Sequence, residues 1–169
     1  LEAIIRPARL EDAGALQRHC YPDHAREDVQ DYLAWCLRQA EKGRIVRLVA
    51  QVDEQAVANA QLTIWSREGE IGSLVVGQDY QRRGLATRLL TELIAEAARR
   101  ELVALEISVC ECQPAILAFY ERLGFQQVVQ PGESSGNSSR AMQAGSGDNK
   151  KGLSHPARPG PVLQCRMLL

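Results

Sequence analysis

The stretch Ile71–Leu90, IGSLVVGQDYQRRGLATRLL, decides how the whole chain is read. It opens with a short apolar run, Ile71 to Val76, followed by a polar turn, Gly77-Gln78-Asp79-Tyr80. A basic corner comes next, Gln81-Arg82-Arg83-Gly84-Leu85-Ala86. Beyond it Leu85, Leu89, Leu90, Leu93, Ile94 and Ala97 recur at helical spacing. The stretch therefore reads strand, turn, helix, with the corner at the helix start.

Such a corner can hold an anion. The first N–H groups of a helix lack intrahelical acceptors, and the macrodipole makes that end positive. Gly84 has no side chain, so a ligand can approach its backbone, and Ala86 is the next smallest choice. Arg82 and Arg83 add charge. A phosphate or pyrophosphate fits these donors. The plainer reading is a basic helix start with a glycine in its turn.

The stretch resembles the acetyl-CoA signature of the GNAT superfamily of N-acetyltransferases, whose corner pattern is Gln/Arg-x-x-Gly-x-Gly/Ala. Gln81, Gly84 and Ala86 match it. Phe119-Tyr120-Glu121-Arg122-Leu123-Gly124-Phe125 resembles the family's Tyr-x-x-x-Gly-Phe segment, and IIRPARLEDAGAL and VLQCRMLL fit its opening and closing stretches. The ordered set covers nearly the whole chain. The resemblance implies an α+β fold: a mixed, mainly antiparallel central sheet of about seven strands, flanked by about four helices, with splayed parallel fourth and fifth strands.

Composition agrees with one enzyme-sized domain over residues 1–169. The chain is 45% hydrophobic and 24% charged, the usual globular balance. A net charge of −1 argues against a general nucleic-acid binder. The five cysteines are odd in number, and Cys110-x-Cys112 has no second pair and no nearby histidine, so buried thiols are preferred to disulfides or zinc, and no metal site is assigned. No run approaches the ~20 apolar residues of a membrane span. The start carries no charged-then-apolar secretion signal, so a cytoplasmic protein is expected.

Around the central stretch the elements follow in order. Ala3–Arg6 reads as a first strand stopped by Pro7, and Glu11-Asp12 begin a short helix. Glu27–Lys42 is a second helix with Val29, Tyr32, Leu33, Cys36, Leu37 and Ala40 on one face; Gly43 caps it, and Trp35, off that stripe, is expected in core packing elsewhere. Ile45–Val52 and Gln55–Trp65 form a hairpin turned by Asp53-Glu54. After the Ile71 strand and its helix, Leu102–Val109 is a parallel partner joined by a crossover. Pro114 opens a last helix, Phe125–Gln130 reads as a strand, and Val162–Leu169 closes the chain. Between those two strands, about 131–161 is rich in Gly, Ser and Asn and reads as a flexible insertion, a tolerated loop or a functional lid.

The resemblance also implies a site. The cofactor-binding residues are Gln81, Arg82, Arg83, Gly84, Leu85, Ala86 and Thr87 for the pyrophosphate of acetyl-CoA. Leu74, Val75 and Val76 follow, by position, for the oxyanion at a bulge on the fourth strand. Gln113 stands where the family often has asparagine. Tyr120 takes the place of the tyrosine that faces the thioester sulfur, and a phenol with pKa near ~10 is a plausible donor to a thiolate; otherwise it is a core aromatic. Glu70, just before the central strand, takes the place of the glutamate base of the histone-acetylating branch; otherwise it is a solvated edge residue. Glu106 and Glu111 are weaker bases, and His19, His24 and His155 show no partner pattern. The implied function is transfer of the acetyl group of acetyl-CoA to the primary amine of a small molecule or peptide, with a homodimer compatible with the family. The alternative is a non-catalytic acyl-CoA-binding module of the same fold. A nucleotide-binding domain is disfavoured, since neither phosphate-binding glycine motif occurs.

Overall fold

The computed structural model describes residues 2–110, 114–128 and 162–169. In chain order these hold β1 (Ile4–Pro7), α1 (Ala13–Cys20), α2 (Arg26–Glu41), β2 (Ile45–Val52), β3 (Gln55–Trp65) and β4 (Glu68–Val76). Then follow α3 (Leu85–Arg99), β5 (Ala104–Cys110), α4 (Pro114–Arg122), β6 (Gln126–Gln127) and β7 (Val162–Leu168). Short 3-10 turns at Leu10–Asp12 and Gln78–Tyr80 lead into α1 and α3.

The seven described strands form one sheet in the order β1-β2-β3-β4-β5-β7-β6. Only β4 and β5 run parallel; the other neighbours are antiparallel. Tight turns set the first half. Asp53 and Glu54 take left-handed φ values of 46° and 64°, the geometry a two-residue hairpin needs. The next turn, at Ser66-Arg67, comes earlier than the sequence pattern predicts, so β4 begins at Glu68 rather than Ile71. Glu68-Gly69-Glu70 is too polar to read as a strand, yet it pairs with Trp65, Ile64 and Thr63. Gly69 permits this, because a Cβ there would lie 2.7 Å from Leu62 Cδ1.

Strand alternation sends Leu48, Ala50, Ala58, Ala60 and Ile71 to one face, where Leu85, Leu89, Leu90, Leu93 and Ala97 of α3 cover them. Each fully buried leucine contributes about 2 kcal/mol. On the other face, Leu16 and Cys20 of α1 and Val29 and Leu33 of α2 cover Val49 and Ala56. The crossover through α3 brings β5 beside β4, but they pair only from Glu68↔Ala104 to Ile71↔Ile107. Past that row β4 pairs with β3 alone and β5 with β7 alone, so the two strands part.

Three expectations shift. Pro7 lies within β1, opposite Leu48 on the sheet edge, where its missing N–H costs no ladder bond. Of the strand predicted over Phe125–Gln130, the described residues pair with β7 at Gln126–Gln127, Val128 N–H adds a bond to the Gln164 carbonyl at 2.9 Å, and Phe125 is buried in the core. Trp35 is not core: it is 40% exposed and stacks on Tyr32 at 6.0 Å. The insertion at 131–161, along with Glu111, Gln113 and His155, lies outside the described residues. Among the described residues, no helix is long and apolar enough to cross a membrane, and no group of three His, Cys, Asp or Glu is placed to hold a metal.

Candidate active site

The corner before α3 is built from backbone. Gly84 sits immediately ahead of the helix at φ 78°, and Arg82 two residues earlier at φ 60°. The first amide of the α3 start seen to bond is Arg88 N–H, 3.0 Å from the Gly84 carbonyl. The amides of Leu85, Ala86 and Thr87 point out of the helix end without i−4 acceptors. A Cβ at Gly84 would meet nothing within 4 Å, so the approach is open. Gln81 is used structurally: its Nε2 donates to the Val76 carbonyl at 3.2 Å, tying the corner to the end of β4. Leu85 is buried, leaving only its amide for a ligand, while Arg82 and Arg83 are exposed. Neither arginine forms an ion pair among the described residues, and Arg83 lies over the Tyr80 ring at 5.8 Å. Outward amides, an open glycine and two unpaired guanidinium groups suit a pyrophosphate.

β4 carries a bulge beside this corner. Val75 pairs with Asn59 and Gly72 with Gln61, which leaves one residue more on β4 than on β3. Ser73 absorbs it at φ 51°. A bulge turns amides out of the ladder. Leu74, Val75 and Val76 follow it, half-buried, just beyond the point where β4 and β5 part.

Tyr120 projects from α4 toward the α3 face of the sheet. Its ring packs edge-on against Phe125 at 6.0 Å and beside Phe119 at 5.3 Å. Burial pushes its phenol up to about 12, with Cys165 adding to the rise. Its hydroxyl has no hydrogen-bond partner among the described residues, so both core packing and a free donor are present in one side chain.

Glu70 lies inside β4, in the middle of the sheet, and neither precedes the strand nor sits on an edge. The reason is the early turn at Ser66-Arg67. By alternation it faces away from α3, opposite in direction to Ile71. It is in register with Glu106 of β5. Burial raises its carboxyl above the ordinary value, the Glu106 charge raises it further, and a Ser108 hydrogen bond opposes both. Glu106 itself is held by Arg166 at 2.9 Å. Two histidines have partners that sequence spacing does not reveal. His19 Nε2 is 3.0 Å from Gln55 Oε1 and edge-on to Tyr80, and His24 packs against Tyr21.

The acetyltransferase (GNAT) family model matches residues 10–125. The chain belongs to this family. It is 34% identical over 86 residues to the [ribosomal protein bS18]-alanine N-acetyltransferase of Salmonella typhimurium strain LT2, covering 51% of this chain and 58% of that relative. The match to the enzyme of the same name from Escherichia coli strain K12 is 38% over 62 residues, covering 37% of this chain and 42% of that relative. The chain thus spans about half the length of the curated relatives it matches, 58% and 42%. Among solved structures, the ribosomal-protein-alanine N-acetyltransferase from Brucella melitensis superposes with a TM-score of 0.72 at 21% identity, covering 98% of this chain and 99% of that one. The PaiA N-acetyltransferase from Thermoplasma acidophilum, in complex with coenzyme A, gives 0.70 at 14% identity with full coverage of both chains. At these identities the structures establish the GNAT fold, including the parallel β4–β5 pair.

Within that fold one feature escaped the sequence reading. Arg47 on β2 is 4% exposed, beneath α1 and α2. Its Nη1 donates to Gln61 Oε1 at 2.7 Å, and Nη2 to Tyr21 Oη at 3.3 Å and to Asn59 Oδ1. The guanidinium also lies 5.2 Å from the Tyr32 ring centre. No carboxylate pairs with it among the described residues, and Arg47 Nε and Asn59 Nδ2 have no partner. The signal was present as three polar residues, Arg47, Asn59 and Gln61, inside largely apolar strands.

Proposed function

We propose that the chain is an acetyl-CoA-dependent N-acetyltransferase acting on a primary amine, with the N-terminal amine of a peptide as the acceptor class. The observation that supports this is the bulge at Ser73 on β4 followed, past Val76, by the open amide corner at the start of α3. The peptide acceptor rests on the relatives, which are named for acetylating the alanine of a ribosomal protein. A cytoplasmic setting goes with that acceptor.

Acetyl-CoA supplies an activated acyl carbon and a thiolate leaving group. The corner amides from Gln81 to Thr87, with Arg82 and Arg83, bind its pyrophosphate. At neutral pH an aliphatic amine is an ammonium, which cannot attack. Glu70 takes its proton, and a carboxylate raised above its ordinary pKa is better matched to that task. The nitrogen then bonds to the acyl carbon, and amides at Leu74–Val76 receive the oxyanion. Collapse breaks the carbon–sulfur bond, and the second nitrogen proton passes to water or to the departing thiolate. With its phenol near 12, Tyr120 stays protonated at every working pH. Complete transfer to a thiolate of pKa about 8.5 runs uphill, so Tyr120 stabilises the departing sulfur by donating a hydrogen bond.

The test is acetylation of short peptides beginning with alanine, beside a panel of small amines, read by mass spectrometry with acetyl-CoA binding measured by calorimetry. A mono-acetylated peptide N-terminus is the expected product. Acetyl-CoA binding with no acetyl transfer to any amine would instead make the chain an acyl-CoA-binding module. Transfer to small amines alone would refute the peptide acceptor.

A further inference from the structure

One cross-strand row runs through the candidate base. Thr63 of β3 is in register with Glu70 of β4, Glu70 with Glu106 of β5, Glu106 with Arg166 of β7, and Arg166 with Gln126 of β6. Adjacent strands lie about 4.8 Å apart, so neighbours in this row touch. The row faces away from α3, one residue short of the place where β4 and β5 part. Arg166 divides its fork: Nη1 donates to Glu106 at 2.9 Å and Nη2 reaches across to Glu68 at 2.6 Å. Glu70 stands opposite Glu106 and two residues along β4 from Glu68, and receives neither arm. Among the described residues its other cross-strand neighbours on this face are uncharged: Thr63 on β3, and Ser108 on β5, whose hydroxyl accepts from Gln164 Nε2 at 3.1 Å. Two carboxylates thus share the guanidinium, and the third, Glu70, has no arm of it.

We propose that Glu106 and Arg166 are positioning residues of the reaction: the charge of Glu106, in register beside Glu70, raises the basicity of Glu70, and Arg166, which binds Glu106, tempers that charge. This rests on Glu70 being the base. A like charge held nearby favours the protonated form of a carboxylate. Arg166 limits the effect, because it offsets part of the charge of Glu106 and Glu68. Removing the neighbour and removing the clamp should therefore push Glu70 in opposite directions. A plain structural tie between β4, β5 and β7 would not do so.

The experiment follows kcat/KM against pH for wild type, Glu106→Gln, Arg166→Gln and Arg166→Lys. The Glu70 carboxyl is titrated separately in the unliganded protein by carbon-13 NMR, assigned with Glu70→Gln. The acidic limb and the Glu70 titration should both move down by about 0.5–1 pH unit in Glu106→Gln and up by a similar amount in Arg166→Gln. Arg166→Lys, which keeps the charge if the fork is lost, should stay near wild type and covers the case in which Arg166→Gln does not fold. Acetyl-CoA affinity should be unchanged in all. Shifts in the same direction, or no shift in the Glu70 titration, overturn the proposal. A Glu70 titration that moves while the acidic limb stays fixed removes Glu70 as base, and the catalytic role of the pair falls with it.

Discussion

The two sides of β4 solve their problems with different materials. At the α3 corner, Gln81 to Thr87 form one contiguous segment that offers backbone amides and an empty glycine. On the opposite face, Glu68, Glu70, Glu106 and Arg166 offer side chains from three strands, and Arg166 reaches partners 60 and 98 residues away. A backbone site depends on local conformation and tolerates side-chain change, apart from its glycine. A side-chain site depends on strand register, and a one-residue slip would send every member to the wrong face.

The strongest test of that contrast is Gly84→Glu. A carboxylate at the open helix start meets the pyrophosphate with like charge, and acetyl-CoA binding should fall by at least ~10³-fold. Gly84→Ala is the control. It meets the same left-handed φ of 78° with little bulk and no charge, so it should cost ~1 kcal/mol of stability and leave most of the affinity. Calorimetry that finds Gly84→Glu binding like wild type would dissolve the corner as a site. Next in size is Tyr120→Phe. Loss of the phenol should slow single-turnover acetyl transfer by roughly 10²-fold, with cofactor affinity unchanged because the corner is untouched. An unaltered rate, with chemistry limiting, would leave Tyr120 as a core aromatic against Phe125.

The same contrast explains what could be read in the chain. The α3 corner, the β2–β3 hairpin and the apolar stripes of α2 and α3 are local patterns, and each stands within a residue or so of where periodicity puts it. Glu70 was visible as a residue but misjudged in place, because Glu68-Gly69-Glu70 has no strand composition and only pairing with β3 makes it one. Arg166 as the clamp on Glu106 was not visible at all, since nothing in CRMLL points to β5. The Arg47 cluster failed for a related reason: burial of an arginine without a carboxylate runs against the usual rule, and only the covering helices make it so. Tyr120 was found by motif, but its raised pKa comes from burial and Cys165, neither of which a motif carries.

The bulge offers a smaller, sharper test. Ser73 holds φ 51°, where a β-branched residue is strained and glycine is not. Ser73→Val should cost about 2 kcal/mol, while Ser73→Gly should stay within about 0.5 kcal/mol of wild type. Thermal or denaturant unfolding gives both values. If valine is accommodated as easily as glycine, the extra residue on β4 is not held at Ser73, and the amides of Leu74 to Val76 are not presented as described.

The smallest effect compares two glutamates with opposite linkage. Glu96 on α3 has its carboxyl held below the ordinary range, first by the Arg100 hydrogen bond, against a smaller burial cost, and then by Arg99. Its folded-state pKa is lower than in the unfolded chain, so its stabilisation is present above the unfolded value and is lost as pH falls through the folded one. Glu70 has the reverse shift, from burial and then Glu106. Its folded state prefers the proton, so it weighs against folding as pH rises through the interval between its unfolded and folded values. These bridges of Glu96 are partly exposed and screened, and Glu96→Gln should cost only about 0.3–0.5 kcal/mol at pH 7. Glu70→Gln should leave stability at pH 7 equal to or above wild type. Both differences should shrink at a pH below the two carboxyls, where wild type and variants are all uncharged at these positions. Denaturant midpoints at pH 7 and at low pH measure this directly. A Glu70→Gln variant less stable than wild type at pH 7 would mean that the carboxylate is held by attraction rather than crowded by Glu106, and the contrast between the two faces would lose its electrostatic half.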